Sequence, residues 1–247
     1  MTEALDILAI GAHPDDVEVG CGGVLIQAAD AGLRAGAADL TRGEHGTLGT
    51  PEERAAERER ATELMGLTTR AQLELPDGAV GTLAGHRDEV VALIRDTRPA
   101  VVLAPYAEDR HPDHAAAGRL ARDGSFLAGL GRLGAGRAHR PERVYHYMIH
   151  HPFAPSFVVD ISAVWERKWS AMAAYTSQFH GDPSEPGTDL AGGSFLAMVE
   201  ARARFHGAMI GAERGEPFAS VGPVSLSFLP GFHDLGPRPA TGYRMFH

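Results

Sequence analysis

The chain has 247 residues, of which 44% are apolar and 22% charged. That balance fits one folded α/β domain and excludes global disorder or a coiled coil. A formal charge of −9 argues against nucleic acid or an anionic membrane as partner, since both need a positive field. With one cysteine, Cys21, no internal disulfide can form. No basic leader pattern or membrane-length apolar run is seen, so a cytoplasmic protein is expected.

The first half alternates strand and helix patterns. Residues 5–10 (LDILAI) form a continuous apolar run before Gly11, which predicts a buried parallel strand. A helix fits 19–31, closed by Gly32, and a weaker strand fits 35–40. Residues 51–65 predict a well-capped helix: Thr50 is the cap, Pro51 takes the first position and Glu53 completes a capping box. A short strand over 73–75, a helix over 87–97, a buried strand over 100–104 and a helix over 113–127 follow.

This alternation predicts right-handed crossovers and a Rossmann-like open, mostly parallel sheet flanked by helices. If the strand order is 3-2-1-4, the winding reverses between the first and fourth strands. Ligands of such sheets sit beyond the strands' carboxyl ends at that point. The segments after Ile10 and Ala104 should therefore face each other. Further on, strands fit 144–149 and 157–161, helices fit 164–175 and 195–210, and 181–193 reads as a loop. The tail after Pro217 has no clear pattern. One domain over 1–247 is expected, with a Rossmann-like half (1–142) and a C-terminal α+β extension (143–247).

Chemistry concentrates in two segments. Gly11-Ala12-His13-Pro14-Asp15-Asp16-Val17-Glu18 follows the first strand. His13 and Asp16 are three apart, so one tight turn can present a nitrogen and an oxygen to a single ion. Asp15 lies between them and can act without being a ligand. Tyr106-Ala107-Glu108-Asp109-Arg110-His111-Pro112-Asp113-His114 follows the fourth strand, with His111 and His114 again three apart. Either cluster alone reads equally as a polar turn opening a helix. Two of them at adjacent strand ends point to a metal site. Two histidines and one carboxylate with an open position suit zinc. Ferrous iron accepts the same set, whereas magnesium and calcium favour oxygen.

Other features are weaker. Gly20-Cys21-Gly22-Gly23 lacks the spacing of a dinucleotide loop and follows acids that would repel a pyrophosphate. Cys21 reads as a small buried residue. His150 and His151 read as rim residues rather than a second metal site, and His45 as a loop residue within possible reach of substrate. Trp165 and Trp169, four apart, read as a packed helical stripe.

The Ala-His-Pro-Asp-Asp-x-Glu segment, Leu40-Thr41-Arg42-Gly43-Glu44 and Arg110-His111-Pro112-Asp113-His114 resemble the zinc-dependent N-deacetylases, a superfamily that includes the phosphatidylinositol-glycan deacetylase. Gly49-Thr50-Pro51-Glu52-Glu53-Arg54, Leu75-Pro76-Asp77-Gly78, Phe157-Val158-Val159-Asp160-Ile161, Ser177-Gln178-Phe179 and Glu200-Ala201-Arg202 resemble its bacillithiol branch, which deacetylates N-acetylglucosaminyl malate. The resemblance runs from residue 5 to about 218. It implies His13, Asp16 and His114 as zinc ligands and Asp15 as general base. It also implies His111 on the oxyanion side, oriented by Asp113, with Arg54 and Arg110 holding an acidic aglycone. A homo-oligomer is implied too. The chain departs from the branch at His146–His151 and at Gly215-Glu216-Pro217-Phe218.

The expected reaction is hydrolysis of the acetamide of an N-acetylglucosamine-type conjugate to acetate and a free amine. Alternatives are another N-acyl sugar or amino compound, and a metal-dependent sugar binder without turnover. Asp15 argues against the last, since a binder needs no base.

Overall fold

Short apolar segments become strands and the segments between them become helices, as the alternation requires. The computed structural model describes residues 4–179 and 193–224. Strands β1 (Ile7–Gly11), β2 (Ala35–Asp39), β3 (Thr69–Gln72), β4 (Val101–Pro105) and β5 (Arg143–Tyr147) run parallel. Helices α1 (Asp16–Asp30), α2 (Pro51–Met65), α3 (Ala84–Thr97) and α4 (Pro112–Ala128) connect them in turn. Strand β7 (Gly215–Ser220) pairs antiparallel with β5 on one side and with β6 (Phe157–Asp160) on the other. Helices α5 (Trp165–Ala173), α6 (Thr176–Phe179) and α7 (Ser194–Met209) complete the described residues. The sheet order is β3-β2-β1-β4-β5-β7-β6, so this is an α/β fold with an open, mostly parallel sheet.

The apolar surfaces of the sheet are covered on both sides. One core packs α1, α2, α5 and α7 against one face, with Leu25, Met65, Met172 and Val199 in it. The other places α3 and α4 on the opposite face, around Leu8, Ile10, Val90 and Ile94. Helix α2 has the bounds and the capping box its sequence predicts: Glu53 N donates to Thr50 Oγ1 at 3.2 Å and Thr50 N to Glu53 Oε2 at 2.8 Å.

Three expectations need correction. The third strand is Thr69–Gln72, not 73–75. This edge strand is polar because Arg70 is drawn inward: its Nε and Nη2 each donate to Asp39 at 2.8 Å, and its Nη1 to the buried Glu18. Leu75 lies past the strand, buried in the core. The second correction is β7, which contains Pro217 and a buried Glu216, features foreign to a central strand pattern. The third is α1, which begins at Asp16 and leaves helical geometry at Cys21. The loop expected over 181–193 lies outside the described residues except for Gly193, as does the tail from 225. Among the described residues no helix is long and apolar enough to cross a membrane.

Because β1 and β4 are neighbours, the turns leaving them meet at the carboxyl edge of the sheet. The two histidine-bearing segments do face each other.

Candidate metal centre

Asp16 is fixed by the turn it belongs to. Its Oδ2 accepts the backbone N–H groups of Ala12 and His13 at 2.8 and 3.0 Å. The carboxylate is thereby folded back over the end of β1, where Oδ1 lies 3.1 Å from His114 Nε2. His13 Nδ1 lies 3.2 Å from the same His114 nitrogen and 3.7 Å from Asp16 Oδ2. All three residues are buried. Two imidazole nitrogens and one carboxylate converging in this way are the donor chemistry of a divalent site.

The far nitrogen of each histidine is also held. His13 Nε2 lies 3.1 Å from Asp77 Oδ1 and 3.4 Å from Asp113 Oδ2, and His114 Nδ1 lies 3.2 Å from Asp109 Oδ1. Carboxylates behind histidines fix the ring and its tautomer, the usual support of a metal-bound imidazole. The residues present therefore fit a divalent ion on His13, Asp16 and His114.

The acids also set the charge state. Burial opposes a proton on His13, yet Asp113, Asp77 and Asp16 outweigh it and hold its pKa at about 10. Burial likewise opposes a charge on His114, but Asp16 and Asp109 hold it at about 9. Asp16 stays well below the usual carboxylate range: burial raises it, but His114 and His13 pull it down further. Asp15 behaves differently. Burial pushes its pKa up to about 7 against the pull of Arg54.

Asp113 does not orient His111, contrary to expectation. Its carboxylate accepts from Gly78 N at 2.7 Å and Val80 N at 3.2 Å and faces His13. The reason is local: His111 is the N-cap of α4, and its Nδ1 accepts the backbone N–H of Asp113 at 3.2 Å. That bond leaves the ring proton of neutral His111 on Nε2. Burial and the neighbouring His114 and His13 push its pKa down, which favours the neutral ring. Asp77 and Asp109 were not singled out as orienting acids. The signals were present in Leu75-Pro76-Asp77-Gly78 and in the Asp109 that precedes Arg110-His111.

A cavity of about 370 Å³ opens over this cluster. Asp15, His111, Arg54 and Arg110 line it with the three candidate ligands, and so do His45 and His150. Arg54 is buried and already engaged: it donates to Gly43 O at 2.8 Å and Pro14 O at 2.7 Å, and its Nη2 lies 3.4 Å from Asp15 Oδ2. It pairs with neither Glu53 nor Glu57 of its own helix; Glu57 instead accepts from Thr176 and Ser177. Arg110 is exposed at the rim. His150 stacks on His114 with ring centres 5.3 Å apart, while His151 points away to Glu108 O. Trp165 is buried in the core with Trp169 packed on it.

A family model described as PIG-L: GlcNAc-PI de-N-acetylase matches residues 8–124, which include every candidate ligand and Asp15. The match covers a little under half of the chain, the half that carries both histidine segments. The chain is 29% identical over 243 residues to the diacetylchitobiose deacetylase of Thermococcus kodakarensis, covering 92% of this chain and 87% of that one. Among solved structures it is similar to a conserved protein from Thermus thermophilus, TT1542. There the TM-score is 0.84 with 42% identity, over 92% of this chain and 98% of that one. The N,N'-diacetylchitobiose deacetylase from Pyrococcus horikoshii, complexed with an inhibitor, matches with a TM-score of 0.75 and 25% identity, over 87% of this chain and 83% of that one.

Proposed function

We propose that this chain hydrolyses the acetamide of an N-acetylglucosamine-type sugar conjugate, releasing acetate and the free amine. The observation that carries the reading is the convergence of His13, Asp16 and His114 beside Asp15 on the cavity floor. The family match over residues 8–124 and the two similar diacetylchitobiose deacetylases support the acetamide as the bond cleaved. The ion we assign is zinc, with ferrous iron as the alternative that the same donors accept.

A divalent ion held by His13, Asp16 and His114 supplies Lewis-acid polarisation of a carbonyl and acidifies water. The protein's own groups do the rest. Asp15 takes the proton of the attacking water and returns one to the leaving nitrogen. A pKa raised by burial suits both halves of that task, because the group must accept and then release the proton. His111, with its proton on Nε2, donates a hydrogen bond to the carbonyl oxygen as negative charge develops there. Arg54 holds Asp15 through its Nη2.

For the rest of the substrate, we place N-acetylglucosaminyl malate first. Its support is the motif resemblance in the sequence and the guanidinium of Arg110 at the rim, which can meet a carboxylate through paired hydrogen bonds. A second reading, an N-acetylated disaccharide, is favoured by the names of the two relatives. Acetate release should be measured from N-acetylglucosaminyl malate, diacetylchitobiose and N-acetylglucosamine, with and without added zinc. Release from none of the three by the metal-loaded protein would sink the N-acetylglucosamine reading and leave another N-acyl compound as the substrate. Preference for the disaccharide would sink the malate assignment alone.

A further inference from the structure

Helix α1 is two pieces. At Cys21 the backbone leaves helical geometry (φ −146°, ψ 17°). The first piece, residues 16–20, begins with the metal-facing Asp16; the second, 22–30, runs through the core. A break inside a buried helix strands carbonyls on one side and N–H groups on the other. Here both sides are taken by charged side chains from the C-terminal part of the chain. Val19 O accepts from Lys168 Nζ at 3.0 Å and Arg202 Nη2 at 3.2 Å. Gly23 N and Val24 N donate to Glu216 Oε1 and Oε2 at 2.8 and 2.9 Å.

Lys168 Nζ and Glu216 Oε1 are themselves 2.5 Å apart, with both side chains only 3% exposed. Cations sit at the carbonyl end of the first piece and an anion at the N–H end of the second, which matches the partial charges of helix ends. Arg202 also donates to Ile149 O, and both Ile149 and Val19 line the cavity. This arrangement accounts for part of the Gly20-Cys21-Gly22-Gly23 run. A Cβ on Gly20 would run into the Tyr147 ring, and one on Gly23 would lie 2.7 Å from Ile161.

We propose that Lys168, Glu216 and Arg202 are positioning residues for the metal centre. They clamp the short 16–20 piece, and through it Asp15 and Asp16, at the separation that His13 and His114 require. A single helical turn has no stability of its own, so its placement depends on what holds its ends. Asp16 anchors the first end through the Ala12 and His13 amides. The Lys168–Arg202 pair anchors the other at Val19 O. An apolar filling of the same space would leave Val19 O and the two amides buried without partners. The proposal rests on His13, Asp16 and His114 holding a divalent ion.

Zinc affinity is measured by competition with a chelating dye on wild type, Glu216→Gln, Lys168→Met and the double variant. The last leaves neither charge buried alone and carries the test if a single variant does not fold. Folded variants should bind zinc about tenfold or more weakly, the usual loss when an outer support of a metal site is removed. Their kcat should fall with KM little changed, and Arg202→Lys, which still offers a donor to Val19 O, should lie nearer wild type. Wild type alone gives a second reading through amide hydrogen exchange. Because coupling is reciprocal, stripping the ion should speed exchange at Gly23 and Val24 more than in β2 or β4. Wild-type zinc affinity in the folded variants, or unchanged exchange at Gly23 and Val24 on stripping, overturns the clamp while leaving the metal centre intact. A wild type that binds no zinc overturns the metal reading and the clamp with it.

Discussion

The carboxylates of Asp15 and Asp16 leave adjacent residues in different directions: Asp16 turns to His114, Asp15 to Arg54. The divergence comes from the backbone of Asp15, whose φ of 107° lies where side chains are rarely found. Strain of this kind costs on the order of 1–3 kcal/mol and persists where surrounding contacts enforce it. Here it turns a candidate ligand and a candidate base in different directions within one dipeptide. Asp15→Asn should keep the shape and the metal but lose about 10²–10⁴-fold in kcat, since an amide cannot take a proton. Metal content and turnover on one sample decide the matter. Loss of both together would exchange the roles assigned to Asp15 and Asp16.

Replacing His13, Asp16 or His114 by alanine should abolish tight zinc binding, since each removes one of three protein donors. Inductively coupled plasma analysis after dialysis reads this directly. Stoichiometric zinc in any one of these variants would remove that residue from the ligand set.

Loading the ion should release protons. The surrounding acids raise the proton affinity of His13 and His114, to about 10 and about 9, and with their nitrogens 3.2 Å apart the pair keeps at least one proton at neutral pH. A ligating imidazole is neutral, so binding must expel at least one proton, and affinity must rise as pH rises towards those values. Calorimetric titration in two buffers of different ionisation enthalpy counts the protons. A count near zero would overturn the raised proton affinity of this histidine pair.

Arg54 and Arg110 should behave differently. Arg54 is tied to Asp15 and to two backbone carbonyls, so Arg54→Ala should lower kcat on charged and uncharged substrates alike. Arg110→Ala should weaken only a carboxylate-bearing substrate, by roughly 1.5–3 kcal/mol, the range for a hydrogen bond to a charged group. Parallel kinetics on N-acetylglucosaminyl malate and N-acetylglucosamine separate the two. A selective loss on the malate conjugate in Arg54→Ala would restore it as an aglycone contact.

What could be read from the chain depended on whether a signal was local. The capping box at Thr50 and Glu53 and the apolar run of β1 are complete within a few residues, and both elements form. The convergence of the two histidine segments followed from strand order, because β1 and β4 flank the reversal. Contacts across the chain left no such trace. Nothing near Asp113 in sequence indicates that it faces His13 rather than His111, since the deciding contacts come from Gly78 and Val80. Arg70 looks like a surface charge on a weak segment until Asp39 and Glu18 are seen around it. Glu216 looks like a loop acid until its two amide partners, nearly two hundred residues away, are known.

The place of β7 bears on how the molecule is made. It is the last described strand to be synthesised, yet it lies between β5 and β6. Until the ribosome has released residues 215–220, β5 presents an open edge and β6 has no neighbour to join. An unpaired edge on a half-built sheet invites pairing with other chains. The same strand delivers Glu216 to the break in α1, near the beginning of the chain. A nascent chain stopped short of this strand would already contain every candidate ligand. It would still lack the strand that closes the sheet and the carboxylate that caps the helix behind Asp16.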